Sequence, residues 1–439
     1  MIRRHLFEAN TAASLWRLVG SEVSADEWDE SSRAALDCLG ELPAAQMVND
    51  PTDIPSLVLG EEQFGLDHWN LSGIRRLYYL RVRRTLPARI RPLLHRVARR
   101  RQEQQALLRW PIEDRYVNHQ RAALHHLLSA RGERSARHIG FWPDGRALGF
   151  AITHDVEGAA GLDFVLALAD LETKYGFRSS FNFVPHDYDV PDSLLAELRA
   201  RGFEIGVHGL RHDGTLFLSE RHFRRQAPEI NRYIERWGAK GFRAPFMHRH
   251  PEWLQELEIS YDLSFFDTDP YEPVAGGTMS IWPFRIGRFV ELPYTLAQDH
   301  TLMATLGEET PRIWFEKVDY LARNNGLALV NVHPDYMLDP AHFVIYERFL
   351  AGMAERQDTW HALPYAVAEW WAQRERAEAV LTPDGWSVPG LHGARVESIQ
   401  LDGSPAPEAP PPRMRVGGTV AATMSVLGEL SMLGGLGFI

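Results

Sequence analysis

The segment Ala147-Leu-Gly-Phe-Ala-Ile-Thr-His-Asp-Val-Glu157 joins an apolar run to three ionisable side chains. Its first seven residues have the composition of a buried strand. A second such run, residues 203–207, is followed by His208-Gly-Leu-Arg-His212. In a core of repeated strand–helix units the carboxyl ends of the strands lie together at one rim. The two segments therefore predict an α/β fold with carboxylates and imidazoles gathered at that rim.

Strand and helix patterns alternate along residues 146–380. The strand-like runs are residues 147–153, 179–184, 203–207, 241–244, 262–266, 289–292 and 327–332. Helical patterns occupy residues 162–175, 191–201, 219–237, 252–257 and 311–324, with two more at 341–356 and 363–376. Such alternation predicts parallel strands joined by crossover helices, and hence either a βα barrel or a doubly wound sheet.

Composition divides the 439 residues into three regions. We predict a helical N-terminal region at 1–140, the α/β domain at 141–380, and a linker with a low-complexity tail at 381–439. Residues 75–101 are dense in arginine. The segment could bind an anionic polymer or lipid headgroups, or it could form the solvated face of an amphipathic helix. The net negative charge of the chain favours the amphipathic helix.

The overall composition is typical of a globular protein that does not bind nucleic acid. The chain is 45% hydrophobic and 24% charged, with a net charge of −11, and an acidic balance argues against a nucleic-acid partner. Cys38 is the only cysteine, so neither an intramolecular disulfide nor a cysteine metal site is expected. Residues 1–10 lack a signal-peptide pattern, and we expect a cytoplasmic location. Residues 416–439 are apolar but carry Glu429 and many glycines, which is only a weak membrane signal.

His208 and His212 have a spacing that lets both imidazoles bind one ion. The residues between them are Gly-Leu-Arg, so the glutamate of the metalloprotease motif H-E-x-x-H is missing. Histidine pairs of this spacing also occur by chance on solvated helices. The position of this pair after a buried strand is what favours a metal site.

Asp155 and Glu157 flank Val156 at the end of the first strand. In an extended segment both carboxylates point to the same side. Capping of the helical pattern that follows is the alternative, but Gly158 and Gly161 intervene. Together with the two histidines, the carboxylates form a ligand set for a divalent metal such as zinc, with one carboxylate left over to act as a base.

The middle region resembles a known family, the polysaccharide deacetylases of the NodB-homology type (carbohydrate esterase family 4). The resemblance covers roughly residues 146–380 and rests on five motifs that occur in the family's order. They are residues 153–157 (T-H-D-V-E), 208–212 (H-G-L-R-H), 241–246 (G-F-R-A-P-F), 261–264 (Y-D-L-S) and 330–334 (V-N-V-H-P). The family fold is a distorted (β/α)7 barrel, and the resemblance implies that fold here.

The resemblance also implies the metal site. Glu157, His208 and His212 would hold a divalent metal, with zinc expected and cobalt or nickel as alternatives. Asp155 would be the general base that removes a proton from the attacking water. The family has an aspartate where this chain has Glu157. If the longer side chain cannot reach the metal, Asp155 would take the ligand role instead.

Four further residues receive roles from the same resemblance. His333 would be the general acid that protonates the departing amine, and Asp262 would pair with His333 and raise its pKa. Arg243 would orient Asp155 and keep it ionised. The backbone N–H of Phe246 would help to hold the tetrahedral oxyanion.

Several other polar and aromatic residues have weaker indications. His154 stands where the family usually has an aromatic, and core packing is the favoured interpretation. Asp335 could orient His333 or cap the following segment. The remaining candidates for substrate contact, for most of which turns or core packing are equally good explanations, are Asp267, Asp269, His248, His250, Trp282, Phe284, Tyr294 and Tyr336.

These observations predict a metal-dependent hydrolase that removes an acetyl or other short acyl group from an amide nitrogen. The expected substrate is an N-acetylated carbohydrate, an amino sugar in a glycan or glycan precursor. One alternative is a cyclic amidase or deacylase of a small molecule on the same fold. The other is an inactive barrel that binds glycan or a partner protein, in which Glu157 marks the loss of the metal.

Overall fold

The computed structural model describes residues 4–43, 54–65, 68–69, 77, 106–383 and 385–401. The predictions for the arginine-rich segment, apart from Leu77, and for the tail beyond residue 401 lie outside these ranges. Within the described ranges, no helix is both long enough and apolar enough to cross a membrane.

A curled, mostly parallel sheet is the centre of the molecule. The strands of the described chain are β1 (Leu18–Val19), β2 (Ser135–Ile139), β3 (Leu148–Val156), β4 (Ser180–Phe183), β5 (Glu204–Val207), β6 (Gly241–Phe242), β7 (Tyr261–Asp262), β8 (Phe284–Ile286), β9 (Phe289–Glu291), β10 (Leu327–Asn331), β11 (Thr359–His361), β12 (Val380–Thr382), β13 (Gly385–Ser387) and β14 (Val396–Gln400). The main sheet has the order β10-β3-β4-β5-β6-β7-β9-β8, and β11 also pairs with β3. Only β8 runs antiparallel to its neighbour.

The two ends of this sheet come together. The backbone N–H groups of Thr295 and Leu296, which follow β9, both donate to the carbonyl oxygen of Leu329 in β10. Seven parallel strands therefore form a distorted ring, and the predicted (β/α) barrel is confirmed rather than the doubly wound sheet. Each of the seven predicted strand segments overlaps one of these parallel strands, although β3 continues to Val156 and β7 shares only Asp262 with its predicted segment.

Helices connect and cover the strands. They are α1 (Ala12–Trp16), α2 (Ala25–Ala34), α3 (Ile54–Leu59), α4 (Arg115–Ala130), α5 (Ala159–Lys174), α6 (Asp192–Ala200), α7 (Glu220–Arg236), α8 (Pro251–Leu254), α9 (Arg312–Arg323), α10 (Pro334–Met337), α11 (Pro340–Ala354) and α12 (Pro364–Arg374). The seven helical patterns of the α/β region are found as α5 to α9, α11 and α12. The sequence patterns did not predict α10 or the short strands β8 and β11.

β3 shows how the sequence positions the site. All nine of its residues are buried, as expected for a strand covered on both faces. Side chains alternate across the strand: the hydroxyl of Thr153 donates to Asn331 in β10, whereas His154 contacts Glu172 of the covering helix α5. Asp155 therefore returns to the inner face with Thr153. The same alternation that buries the apolar residues aims this carboxylate into the barrel.

The ordered structure continues past the predicted end of the α/β domain. β14 pairs with β2, and β2 pairs with β1, in a three-stranded antiparallel sheet. β12 and β13 form a hairpin. Residues 385–387 and 396–400 of the predicted linker thus belong to strands, because their backbone groups find partners in adjacent or distant segments. The proline-rich stretch at 404–412 lies outside the described residues.

Candidate metal centre and active site

The predicted site residues converge at the carboxyl ends of the barrel strands. Asp155 lies in β3 with Glu157 just after it, His208 follows β5, Arg243 follows β6 and His333 follows β10. A cleft of about 40 Å³ opens between them. It is lined by Asp155, Glu157, His208, His212, Phe246, Met247, Glu272, Pro273, Gln298, His300, His333 and Tyr336.

Glu157, His208 and His212 form a cluster that fits a metal ion. One ligand atom from each lies within 4.8 Å of the others, and Oε1 of Glu157 is 3.0 Å from Nε2 of His212. Nδ1 of His208 lies 2.9 Å from the carbonyl oxygen of Arg243, so Nδ1 carries the proton and Nε2 carries a lone pair. That Nε2 is buried and has no hydrogen-bond partner within the described ranges. A buried acceptor of this kind, beside a carboxylate and a second imidazole, suits a borderline divalent cation.

The charge states of the cluster are those that metal binding requires. Burial lowers the pKa of His208 to about 4, which keeps the imidazole neutral. Burial raises the pKa of Glu157, but the neighbouring His212 and the other two histidines outweigh it and bring the value to about 2. The site therefore offers a carboxylate and an imidazole with a free lone pair at neutral pH.

Asp335 fixes the backbone that carries Glu157. Its Oδ2 accepts from the N–H of Glu157 at 3.0 Å, and its Oδ1 accepts from the N–H of Gly161 at 3.2 Å. The second contact caps the first turn of α5, so Asp335 caps a helix N-terminus rather than orienting His333. A Cβ at Gly161 would lie 2.1 Å from Oδ2 of Asp335, and this close approach explains the glycine. With its backbone held in this way, the longer side chain of Glu157 reaches both His212 and His333.

Asp155 is buried at the bottom of the cleft among hydrogen-bond donors. Its two oxygens accept from Nδ2 of Asn182 and Nδ2 of Asn331, each at 2.9 Å. A guanidinium nitrogen of Arg243 lies 3.4 Å from Oδ1. Burial raises the pKa of Asp155, but the charge of Arg243, aided by His208 and His333, holds it well below the usual range. The carboxylate is therefore ionised, as a base must be.

Arg243 is itself fixed by the barrel. Its Nε donates to the carbonyl oxygen of Leu263 at 2.9 Å, and one terminal nitrogen donates to Oγ1 of Thr153 at 2.8 Å. The same nitrogen also donates to Oδ1 of Asn331. Because Arg243 is fully buried, its charge acts on Asp155 with little screening by solvent.

His333 has a carboxylate partner, but that partner is not Asp262. Oδ1 of Asp299 lies 2.6 Å from Nδ1 of His333, and Oδ2 accepts from the backbone N–H of the same residue at 2.7 Å. Burial lowers the pKa of His333, but Asp299, and to a lesser degree Glu157 and Asp155, raise it to about 10. The imidazole therefore carries two protons at neutral pH, and Nε2–H is directed toward the carboxylates of the cleft.

The predicted pairing of Asp262 with His333 is thus wrong. The oxygens of Asp262 accept from the N–H and the hydroxyl of Ser264, at 3.1 and 2.9 Å. Burial raises the pKa of Asp262, and burial together with the neighbouring Asp262 raises that of Glu291 in β9. Two carboxyl groups buried side by side favour sharing a proton. Asp262 lies at the end of β7, and Glu291 is its register partner in the neighbouring strand β9. Strand pairing therefore places Asp262 beside Glu291 and not beside His333.

Phe246 lies on the wall of the cleft in a left-handed conformation, with φ 59° and ψ 17°. Its ring stacks on His212 with 4.3 Å between the centroids. The stacking positions the imidazole of a candidate ligand. The oxyanion role of its N–H stays a prediction.

The other candidates separate into core and cleft. His154 bridges Glu172 and the carbonyl oxygen of Val332 within the core, as expected. Tyr336 lines the cleft. The residues that do not line it are Asp267, Asp269, His248, His250, Trp282, Phe284 and Tyr294, all of which are buried.

Five residues whose side chains hydrogen-bond within the site were not singled out from the sequence. They are Asn182, Glu272, Gln298, Asp299 and Asn331. Asn331 could have been predicted as a site residue, because it is a polar residue inside an apolar strand pattern, two positions before His333. Asn182 in β4 is also a polar residue inside an apolar strand pattern. No local pattern pointed to the remaining three.

Comparison with known proteins gives matches at the level of structure. A search with the sequence matches no family model and no curated protein. A Mycobacterium smegmatis protein assigned as a polysaccharide deacetylase is similar at 20% identity and a TM-score of 0.44, over 55% of this chain and 96% of the other. An allantoinase is similar at 15% identity and a TM-score of 0.43, over 53% and 93%. A peptidoglycan N-acetylglucosamine deacetylase is similar at 12% identity and a TM-score of 0.34, over 53% and 91%.

Proposed function

We propose that this chain is a metal-dependent hydrolase that removes an acetyl or short acyl group from the amide nitrogen of an amino sugar. The observation that carries the proposal is the cluster of Glu157, His208 and His212. In that cluster Nε2 of His208 is buried, has no hydrogen-bond partner among the described residues and lies beside the carboxylate of Glu157. An ionised Asp155 and a protonated His333 lie on either side of the same cleft.

The metal would be held by Glu157, His208 and His212, and zinc is the ion we expect. When bound, such an ion polarises the acyl carbonyl and lowers the pKa of water, which together stabilise the transition state by several kcal/mol. Neutral His208 and ionised Glu157 are ready to bind it without the loss of a proton.

Asp155 is the proposed general base. It is ionised and has fixed donors on both oxygens, so it can accept a proton from the attacking water without changing its position. Arg243 and the amides of Asn182 and Asn331 stabilise the ionised form. A base of low pKa is weak toward free water, and an ion held by Glu157, His208 and His212 would compensate by lowering the pKa of the water.

His333 is the proposed general acid. Asp299 holds Nδ1–H and keeps the imidazole doubly protonated, so Nε2–H can donate to the departing amine nitrogen. Base and acid face the same cleft, and Nε2 of His333 is 3.9 Å from Oδ2 of Asp155. We propose that the N–H of Phe246 donates to the developing oxyanion.

Metal content and acetate release together test this function. The purified chain is expected to hold about one divalent ion by plasma mass spectrometry and to release acetate from N-acetylchitotetraose. His212→Ala is expected to lose both. A chain that binds no zinc, cobalt or nickel even after their addition would contradict the proposal and favour a glycan-binding barrel. A metal-loaded chain that cleaves hydantoin but not the oligosaccharide would favour a cyclic amidase.

A further inference from the structure

The loop between β7 and β8 carries three buried acidic side chains, of which one lines the cleft. Oδ2 of Asp267 lies 2.5 Å from Nζ of Lys317. Asp269 accepts from the hydroxyl of Tyr294 and from a backbone N–H of the loop. The carboxyl groups of Asp267 and Asp269 therefore both have partners within the protein. Glu272, in contrast, borders the same cleft as Glu157 and His333, and the mechanism above gives it no role.

The two oxygens of Glu272 have different surroundings. Oε1 lies 2.9 Å from the hydroxyl oxygen of Tyr294 and accepts from the side-chain amide of Gln298. Oε2 has no hydrogen-bond partner in the part of the chain that the structure describes. The residue is only 3% exposed. Oε2 therefore stands at the edge of a cleft that a substrate can enter, with no partner among the described residues, and is available to a bound molecule.

The protonation of Glu272 favours a donor role. Burial, together with the nearby carboxyl group of Asp269, raises the pKa of Glu272 to about 8. The acid keeps its proton at neutral pH, as in other sites where an apolar setting turns a carboxyl group into a donor. Because Oε1 accepts the amide N–H of Gln298 and Oε2 has no partner among the described residues, we place the proton on Oε2.

We propose that Glu272 is a substrate-binding residue whose Oε2 hydrogen-bonds a hydroxyl group of the molecule that carries the scissile acyl group. This inference rests on the proposed function, since it concerns the substrate of the same cleft. Gln298 accepts from Asn331 at 3.0 Å, and Asn331 donates to Asp155. Glu272 is thus joined to the base through two amides, so a substrate bound by it is positioned relative to Asp155.

Two variants measured on two substrates test this role. N-acetylchitotetraose offers hydroxyl groups next to the acyl group, whereas 4-nitrophenyl acetate offers none. Glu272→Leu removes the donor at similar volume, and we expect the ratio of kcat/KM for the tetrasaccharide to that for the ester to fall at least tenfold, mainly through KM. Glu272→Gln keeps a neutral donor, and its ratio should stay within threefold of the wild type. If Glu272→Leu does not fold, Glu272→Asp, which withdraws the carboxyl group from the substrate, is expected to show the same fall.

The outcomes separate this inference from the proposed function. A wild type active on both substrates, with the ratio unchanged in Glu272→Leu, would overturn the role of Glu272 alone. An equal loss on both substrates would overturn it too, because that result indicates damage to the catalytic centre. A metal-loaded wild type that cleaves the ester but neither binds nor cleaves the tetrasaccharide would overturn the proposed function and this inference with it.

Discussion

At the scale of single residues, Asp155 and His333 face one cleft with opposite protonation preferences. Arg243 lies 3.4 Å from the first, and Asp299 lies 2.6 Å from the second. A buried cation favours the ionised acid, and a buried carboxylate favours the protonated imidazole. Pairs of titratable groups whose pKa values are pushed apart in this way are typical of acid–base catalysis.

Replacing Asp155 by Asn tests the assignment of base and ligand. Asn cannot accept the proton, so we expect the rate to fall by about 10²–10⁴-fold, while the metal content stays near that of the wild type. Glu157→Gln is the matched variant and should lower the metal content. Loss of the metal from Asp155→Asn, with its retention in Glu157→Gln, would exchange the two roles.

Replacing Asp299 by Asn tests the partner of His333. The proton on His333 is retained below a pKa of about 10 and lost above it, so activity that needs the acid should fall on the alkaline side. Without the carboxylate of Asp299, only Glu157 and Asp155 oppose the effect of burial, so the pKa of His333 falls. We expect the alkaline limb of the pH–kcat profile to move down by at least about one pH unit. Asp262→Asn is the control, and a larger shift in that variant would restore the pairing expected from the sequence.

At the scale of elements, the N-terminus of α5 holds the segment that carries Glu157. Asp335, which follows β10, accepts the N–H groups of Glu157 and Gly161. The chain segments after two neighbouring strands are thus joined by one side chain. The geometry of a candidate ligand depends on this cap as much as on its own strand.

We expect Asp335→Ala to lower both stability and metal affinity. Loss of a helix cap costs about 0.5–2 kcal/mol of unfolding free energy, and loss of a group that orients a ligand weakens metal binding by about 10–100-fold. Urea unfolding and zinc titration measure the two effects. Asp339→Ala is the control, because Asp339 caps α11 through the N–H of Ala341 away from the cleft. Asp339→Ala should lower the stability without changing the zinc affinity. Equal zinc affinities for the two variants would contradict the role of Asp335.

At the scale of the whole molecule, the N-terminal region is fixed to the barrel by a buried ion pair. Glu61 accepts two hydrogen bonds from Arg249, at 2.6 and 2.9 Å, and one from the N–H of Gly277 in the loop of Glu272. Burial raises the pKa of Glu61, but Arg249 outweighs it and holds the value far below the usual range. A group of lowered pKa contributes stability above its unfolded pKa and loses it as the pH falls through the folded value.

Breaking this pair should destabilise the protein strongly. Glu61→Gln leaves Arg249 buried without a charged partner, and the expected cost is about 3–5 kcal/mol of unfolding free energy. Glu347→Gln breaks the exposed pair with Lys174 and should cost less than about 1 kcal/mol. Urea midpoints at pH 7 compare the two. Similar midpoints would contradict a stabilising role for the ion pair of Glu61 and Arg249.

The sequence by itself determined the parallel strands, the crossover helices and the convergence of Asp155, Glu157, His208 and His212 at one rim, and the family resemblance added Arg243 and His333 to the site. These features depend on local patterns. An apolar run and the polar residues that follow it are adjacent in the chain, and parallel pairing then brings the strand ends together. Strand alternation alone places Asp155 inward and His154 in the core.

Only the tertiary structure decided which of these side chains touch. Asp299, not Asp262, holds His333; Asp335 holds the backbone of Glu157 from 178 residues away; and Glu272, not Asp267 or Asp269, reaches the cleft. Each outcome depends on how loops pass over the rim, and loop paths are set by contacts between segments remote in sequence. The local sequence specifies the type of each side chain, but the packing of the whole chain determines which group that side chain contacts.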